Sequence, residues 1–295
     1  MERFSLSVNQ GRYDPVNAYW LCRCAKLAYH DAERTTSEAG DWGLSRVDSI
    51  SRRKSQCWVG SNERLIVVAF AGTNFSEIQD LLNDADARPV AGYGGKVHAG
   101  FKRAYEAVRA SLLAALGEHR GGEQALWITG HSLGAAVASL AAVDLLAQGQ
   151  SLEGVYTFGQ PRVGDDDFVA GYQRALGDRS YRLARVTDPI PGAPIHYRDL
   201  PTRIHITSDD RLTLNYEPSK KLIDKLKNTR EALPSHLIGA YLRAVEANIG
   251  DDPFSRPDEV IREHSLVDET SIARDLKAAG DELERWFGEV FGAKA

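Results

Sequence analysis

Leu126-Trp127-Ile128-Thr129-Gly130-His131-Ser132-Leu133-Gly134, followed by an alanine-rich run from Ala135 to Ala147, is the stretch whose reading decides the fold. Residues Ala125 to Thr129 are mostly apolar or β-branched and lead straight into Gly130, and the segment after Gly134 carries one charge, Asp144. That pattern predicts a buried strand, a sharp turn and a buried helix. The turn holds Gly-His-Ser-Leu-Gly, the G-x-S-x-G spacing in a strand–turn–helix setting. A serine hydroxyl is a weak nucleophile unless it is projected toward a base and toward donors for a developing oxyanion. A strand that turns abruptly into a helix presents one side chain at its apex, in a strained backbone region. Gly130 and Gly134 lack the Cβ atoms that would collide as strand and helix close. The helix start aims N–H groups and the positive end of its dipole at the same point. Ser132 is therefore the leading candidate nucleophile.

Working outward, the pattern is one of strands alternating with helices. Pro15 to His30 carries Ala18, Leu21, Cys22, Ala25, Ala28 and Tyr29 at helical spacing. Arg34 to Arg53 is polar and reads as chain winding over the surface. Cys57 to Gly60 and Leu65 to Phe70 flank a polar turn and read as a hairpin, the second strand apolar throughout as a central strand would be. An irregular segment from Phe75 to Gly95 follows, then a helix from Lys102 to Leu116. Beyond the serine turn come a strand from Gly154, a helix from Asp166 to Leu176, a strand from Tyr181 to Val186 and a hairpin about Ser208-Asp209-Asp210. A Lys-bearing segment leads to Pro234-Ser235-His236 and a helix from Leu237 to Ala247; the stretch after Asp251 is charged and helical in pattern. The expectation is an α/β fold with a mostly parallel central sheet flanked by helices, its functional loops at the carboxyl ends of the strands.

The chain has 295 residues, 43% of them hydrophobic, and a net charge of −5 with dispersed basic residues. That distribution argues against nucleic-acid binding. No run approaches the roughly 18 apolar residues of a membrane-spanning helix. The start of the chain has no apolar signal-like run and the three cysteines have no metal-ligand spacing, which favours a cytoplasmic location, or a secreted one with the signal absent from this sequence.

Ser132 needs a base and an acid to orient it. His131 adjoins the serine and cannot face it. His205 lies mid-strand, on the side predicted to be solvated; His30, His119 and His264 are remote from strand ends. His98 follows the irregular segment, within reach of the site, and His196 lies in a Pro-rich loop. His236 follows Pro234-Ser235 at a helix mouth, downstream of the sheet strands, where this fold type places its base. Asp188 ends a strand at Asp188-Pro189-Ile190-Pro191, whereas Asp199, Asp209 and Asp210 belong to polar turns. For the oxyanion, the N–H of Leu133 is one donor and Thr73, after the apolar strand and Gly72, the second.

With these pieces in line the sequence resembles the class 3 (fungal-type) lipase family of α/β-hydrolases, from about Leu65 to Ala247. The motifs are Val68-Ala69-Phe70-Ala71-Gly72-Thr73, Val97-His98-Ala99-Gly100-Phe101, Thr129-Gly130-His131-Ser132-Leu133-Gly134-Ala135-Ala136, Thr157-Phe158-Gly159-Gln160-Pro161-Arg162-Val163-Gly164 and Asp188-Pro189-Ile190-Pro191. The resemblance implies Ser132 as nucleophile, Asp188 as acid, His236 as base and Thr73 with Leu133 as oxyanion donors. It also implies a lid after the oxyanion loop, about residues 74–95. Within it Phe75, Ile78, Leu81 and Leu82 are spaced to share one helical face, and they are grouped with His98 as candidate lid or substrate-binding residues. Ala71 stands where the family usually has Arg, and Leu81 where a lid Trp is usual.

The expected activity is that of a serine carboxylic-ester hydrolase, lipase or esterase, working through an acyl-Ser132 intermediate on a lipid or small acyl ester, with no cofactor or metal. A phospholipid acyl hydrolase and a non-catalytic lipid-binding module are the alternatives. Residues 1–250 form the expected catalytic domain and 251–295 a helical extension. In that extension Ile272, Leu276, Ala279, Leu283, Trp286, Phe287 and Val290 share one helical face. Its balanced charges point to docking on the domain or on a second copy of the chain rather than to membrane insertion.

Overall fold

The computed structural model of the chain describes residues 4–8, 12–73, 88–201, 203–217 and 233–262. Its strands are β1 (Arg46–Arg52), β2 (Ser55–Ser61), β3 (Leu65–Phe70), β4 (Pro89–Gly92), β5 (Gly95–His98), β6 (Ala125–His131), β7 (Gly154–Phe158), β8 (Ser180–Arg185), β9 (Arg203–Ile206), β10 (Leu212–Thr213), β11 (Asn215–Glu217) and β12 (Val260–Arg262). The helices are α1 (Pro15–Leu27), α2 (Ala32–Asp41), α3 (Ala99–His119), α4 (Leu133–Ala147), α5 (Asp166–Leu176) and α6 (Ile238–Ala247). Among the described residues the main sheet has the order β1-β2-β3-β6-β7-β8-β9-β10. β3, β6, β7, β8 and β9 run parallel, with antiparallel pairs at both edges.

Strand alternation sorts the core into two layers. Leu65, Val67 and Ala69 of β3 and Trp127 of β6 face α1 and α6, meeting Trp20, Leu21, Ile238 and Tyr241. Ile66, Val68 and Phe70 of β3, with Leu126 and Ile128 of β6, face α3, α4 and α5, meeting Tyr105, Leu112, Leu140 and Phe168. This is the period-2 rule acting on strands buried on both sides. α1 starts at Pro15 with the Asp14 carboxylate accepting from the Val16 and Asn17 N–H groups. It is fastened to the sheet by the Thr129 hydroxyl donating to the Leu21 carbonyl at 3.0 Å and the Trp58 indole donating to Cys24 at 3.1 Å.

Three expectations are corrected. The polar stretch Arg34–Arg53 does not wind over the surface: it contains most of α2, capped by Asp31, and the whole of β1. β1 is an edge strand whose one buried residue is Ile50, so its stability comes from a seven-residue ladder to β2 and leaves little apolar signal in the sequence. Residues 251–262 do not continue as an α-helix. Pro253 opens a short 3₁₀ turn over Pro253–Ser255, and β12 then pairs in parallel with β11. Phe254 packs against Tyr13 and Tyr181, each with ring centres 5.7 Å away, so this part of the chain is held to the domain. His205 is not solvated: it is half-buried and stacked on Tyr216, with its pKa pushed down to about 4 by burial and by Arg203 and Arg182. The apolar face expected after Ser271 lies outside the described residues.

Candidate active site

The turn after β6 carries the strain its sequence predicts. Ser132 has φ +58° and ψ −127°, a conformation that costs on the order of 1–3 kcal/mol for a residue with a Cβ. It is held by its N–H donating to the Phe158 carbonyl at 3.0 Å and by its own carbonyl accepting from Ala135 and Ala136 at the start of α4. A Cβ on Gly130 would strike the Gly134 carbonyl and approach Ala135 N to 2.8 Å; one on Gly134 would strike the Phe70 carbonyl and approach the Ala71 backbone to 2.6 Å. The two glycines thus let α4 close on β6 and let the end of β3 lie against the turn.

Three side chains from distant parts of the chain meet there. Ser132 Oγ is 2.8 Å from His236 Nε2, and His236 Nδ1 is 2.7 Å from Asp188 Oδ2. All three residues are buried, Ser132 at 0% exposure. The Asp188 carboxylate accepts only, so Nδ1 carries the hydrogen and the bare Nε2 faces the serine hydroxyl. Both carboxylate oxygens are engaged: Oδ1 accepts from Ile190 N–H at 2.9 Å, and Oδ2 also accepts from the Tyr241 hydroxyl at 2.6 Å. Burial and the Asp188 charge push the Tyr241 pKa well above its ordinary value, which keeps it a donor.

The loops that carry these residues are tied together. Asp188 follows β8, and His236 closes the 3₁₀ turn Leu233–His236 ahead of α6. Arg182, buried within β8, donates to the Gln160 carbonyl at 2.9 Å and to the Pro191 carbonyl at 2.6 Å, joining the loops after β7 and β8. Gly159 has φ +58°, and a Cβ there would stand 3.2 Å from His236 Cε1 and 3.3 Å from Asp188 Oδ2. The rival acids are engaged elsewhere. Asp199 meets Arg162, Arg182 and Arg203 within 3.1 Å, Asp210 meets Arg185 and Arg243, and Asp209 pairs with Arg211.

Leu133 opens α4, where the first N–H groups have no intrahelical acceptor. Thr73 follows Gly72, whose missing Cβ leaves room for the Tyr29 hydroxyl and for the His131 carbonyl, 2.9 Å from where it would sit. The loop is anchored through Gln56: Ala71 N–H donates to the Gln56 carbonyl at 2.9 Å, and the Gln56 amide donates to the Ala28 and His30 carbonyls just after α1. His98 is placed differently from the expectation. It is fully buried as the N-cap of α3, its Nδ1 accepting from Gly100 at 3.1 Å and Phe101 at 3.4 Å, with its ring stacked on Phe101. A short apolar run ahead of a helix reads the same for a cap and for a site residue, and burial decides for the cap. His196 is exposed beside Tyr197. Phe75, Ile78, Leu81 and Leu82 lie outside the described residues. Sequence reasoning did not find Tyr29, Gly159, Arg182 or Tyr241; a tyrosine within the apolar face of the helix just after His236 was the one available signal.

A parallel sheet flanked by helices, with a strained serine between its central strand and the next helix, defines an α/β-hydrolase fold. Residues 67–197 match the model of the family described as lipase (class 3). It is 40% identical over 107 residues to the secreted mono- and diacylglycerol lipase 1 of Fusarium solani, covering 36% of this chain and 31% of that protein. It is 34% identical over 179 residues to a secreted mono- and diacylglycerol lipase of Malassezia globosa, covering 54% of this chain and 59% of that one. The chain thus spans less than two thirds of either relative. A solved triacylglycerol lipase, described as having a serine protease triad as its catalytic centre, superposes with a TM-score of 0.52 at 25% identity, over 64% of this chain and 78% of its own. Among the described residues no helix is long and apolar enough to cross a membrane.

Proposed function

We propose that the chain is a serine carboxylic-ester hydrolase that cleaves acylglycerol-type or short-chain fatty-acid esters through an acyl-Ser132 intermediate. The observation that carries this reading is the hydrogen-bonded line Ser132–His236–Asp188 set on a strained turn at a helix start. In it, His236 Nε2 takes the Ser132 hydroxyl proton as Oγ attacks the ester carbonyl carbon. The carbonyl oxygen becomes an oxyanion held by the Leu133 N–H and by Thr73. Asp188 stays ionised and stabilises the imidazolium, with Tyr241 and Ile190 holding its carboxylate in place. Collapse expels the alcohol, which takes the proton back from Nε2. Water then attacks the acyl-serine with His236 as base, releasing a fatty acid and restoring the serine. Ser132 has no exposed surface, so a bulky ester requires the site to open.

The acylglycerol part of the reading is supported by the names of the relatives, which are mono- and diacylglycerol lipases. Both are also named as secreted; here Cys22, Cys24 and Cys57 are buried free thiols, so folding asks for no oxidising compartment and is compatible with either location. The test is turnover of chromogenic acyl esters of increasing chain length, alongside mono-, di- and triacylglycerols and phosphatidylcholine. Fluorophosphonate labelling is followed in parallel on the native chain and on Ser132→Ala. Ester cleavage lost with the label and in the variant supports the proposal. Preference for phosphatidylcholine redirects it to phospholipids, and a chain that binds lipid but cleaves nothing overturns it.

A further inference from the structure

His131 adjoins the serine in sequence but turns its ring away, toward the base loop. The ring is buried, with Nδ1 2.6 Å from the Tyr29 hydroxyl and Nε2 2.7 Å from the carbonyl oxygen of His236. The partners settle where the protons lie. A carbonyl only accepts, so Nε2 carries the hydrogen; the neutral ring then accepts at Nδ1, and the Tyr29 hydroxyl donates. We propose that Tyr29 and His131 are positioning residues for the reaction: they clamp the main chain at His236, so that its imidazole stays on the line between Asp188 and Ser132. The inference rests on that triad being the catalytic one.

The geometry gives the clamp something to do. His236 sits at the end of a four-residue 3₁₀ turn, a short element with little of its own to hold it, yet its side chain must meet two partners at once. A misplacement of about 1 Å at such a group costs roughly 10²-fold in rate. The clamp reaches three other parts of the site. His131 is the residue before the nucleophile, Tyr29 follows the end of α1, and the Tyr29 hydroxyl fills the space beside Gly72 on the oxyanion side. A neutral ring also suits the chemistry. The rings of His131 and His236 are 4.9 Å apart, with Tyr241 5.7 Å from His131 on the third side, so a charged His131 would oppose the imidazolium that forms on His236. Burial, and then the neighbouring His236, hold its pKa well below the ordinary histidine value.

The test compares His131→Phe, a ring of similar size with no N–H, with His131→Gln, whose amide keeps a donor, and with Tyr29→Phe. Each full-length variant is measured by kcat and KM on a soluble ester, the pH–rate profile, melting temperature and the fraction of protein labelled by fluorophosphonate. His131→Phe is expected to lower kcat by roughly 10²-fold with KM within about twofold, and Gln to recover most of the loss. Tyr29→Phe is expected to lower kcat by about 3- to 10-fold and to leave the melting temperature nearly unchanged, which keeps the proposal testable if His131→Phe fails to fold. Imidazole nitrogen spectra should show His131 still as the neutral Nε2–H tautomer well below the ordinary histidine midpoint. Equal kcat in all three variants, equal losses for Phe and Gln, or a His131 that titrates near its ordinary value would each overturn the clamp. A native chain that takes no label and cleaves no ester overturns the hydrolase reading itself, and is told apart from the other failures because the unmutated protein is then the silent one.

Discussion

Among the described residues two hydrogen-bonded Ser–His–Asp lines stand out, and one of them has the surroundings of a nucleophile. Ser61 Oγ lies 2.7 Å from His119 Nδ1, and His119 Nε2 lies 2.8 Å from Asp48 Oδ2. By distance alone this line equals Ser132–His236–Asp188. Its surroundings differ at each member. Ser61 is in the antiparallel ladder of β2, extended and unstrained, facing Ile66 and Arg46, with its main chain committed to neighbouring strands. His119 is the last residue of α3, the negative end of a helix dipole, where no oxyanion would be favoured. Asp48 is 43% exposed on the edge strand and shared with Arg46 at 3.2 Å, whereas the Asp188 side chain is wholly buried with three donors on it. Contact chemistry is therefore not what separates a site from a structural link. The backbone strain at Ser132, the helix start beside it and the glycines that let β3 approach do that.

The comparison breaks most simply at the two serines. Ser132→Ala is expected to lower turnover by on the order of 10⁴-fold or more, and Ser61→Ala to leave kcat within about twofold, since the triad acts as a unit and the second line takes no part. Ester kinetics on both variants check it, and a large loss at Ser61 would make the second line functional. Next in size, Thr73→Val is expected to lower kcat by about 10- to 1,000-fold if the hydroxyl joins the oxyanion donors. Normal turnover would restrict the contribution of Thr73 to its N–H. Tyr241→Phe, which removes one of three donors from Asp188, is expected to cost about 3- to 10-fold in kcat with KM little changed. A matched loss from any nearby cavity-forming variant of α6 would mark the effect as packing instead.

The smallest effect concerns acid stability. His119 has its pKa lowered by burial despite the Asp48 hydrogen bond, His131 lies well below its ordinary value, and His205 is near 4. A histidine whose pKa is depressed by folding binds its proton more readily in the unfolded chain. The stability it gives is complete above the unfolded value near 6.5 and is lost as pH falls toward the folded value. The melting temperature is therefore expected to fall steadily from about pH 6.5 to 4, and His205→Gln to flatten part of that slope. A melting curve series with no such slope would show that these rings are solvated.

Much of the fold was legible because burial writes itself into sequence. The apolar run of β3, the strand and alanine-rich helix about Ser132, and the helix from Asp166 to Leu176 were each identified to within a residue or two. Each of them buries apolar side chains at the spacing of its own geometry. α2 and β1 escaped for the converse reason: an exposed helix and an edge strand are held by caps and ladders, which any polar sequence can supply.

Sequence alone also singled out Ser132, because a nucleophile on a tight turn needs glycine two residues away on either side, a local demand visible along the chain. It put Asp188 and His236 at the ends of later elements, in the order that the fold type uses. What it had no means to decide was which of several histidines and aspartates lie within 3 Å of one another, since that depends on how loops after β7, β8 and ahead of α6 are drawn together. Arg182, the space at Gly159, the Tyr241 hydroxyl on Asp188 and the turned-away ring of His131 do that drawing together, over separations from 9 to 105 residues. Such contacts leave no spacing in the chain. They exist only once the sheet has brought the strand ends to one edge, and there the tertiary structure decides which hydroxyl faces which imidazole.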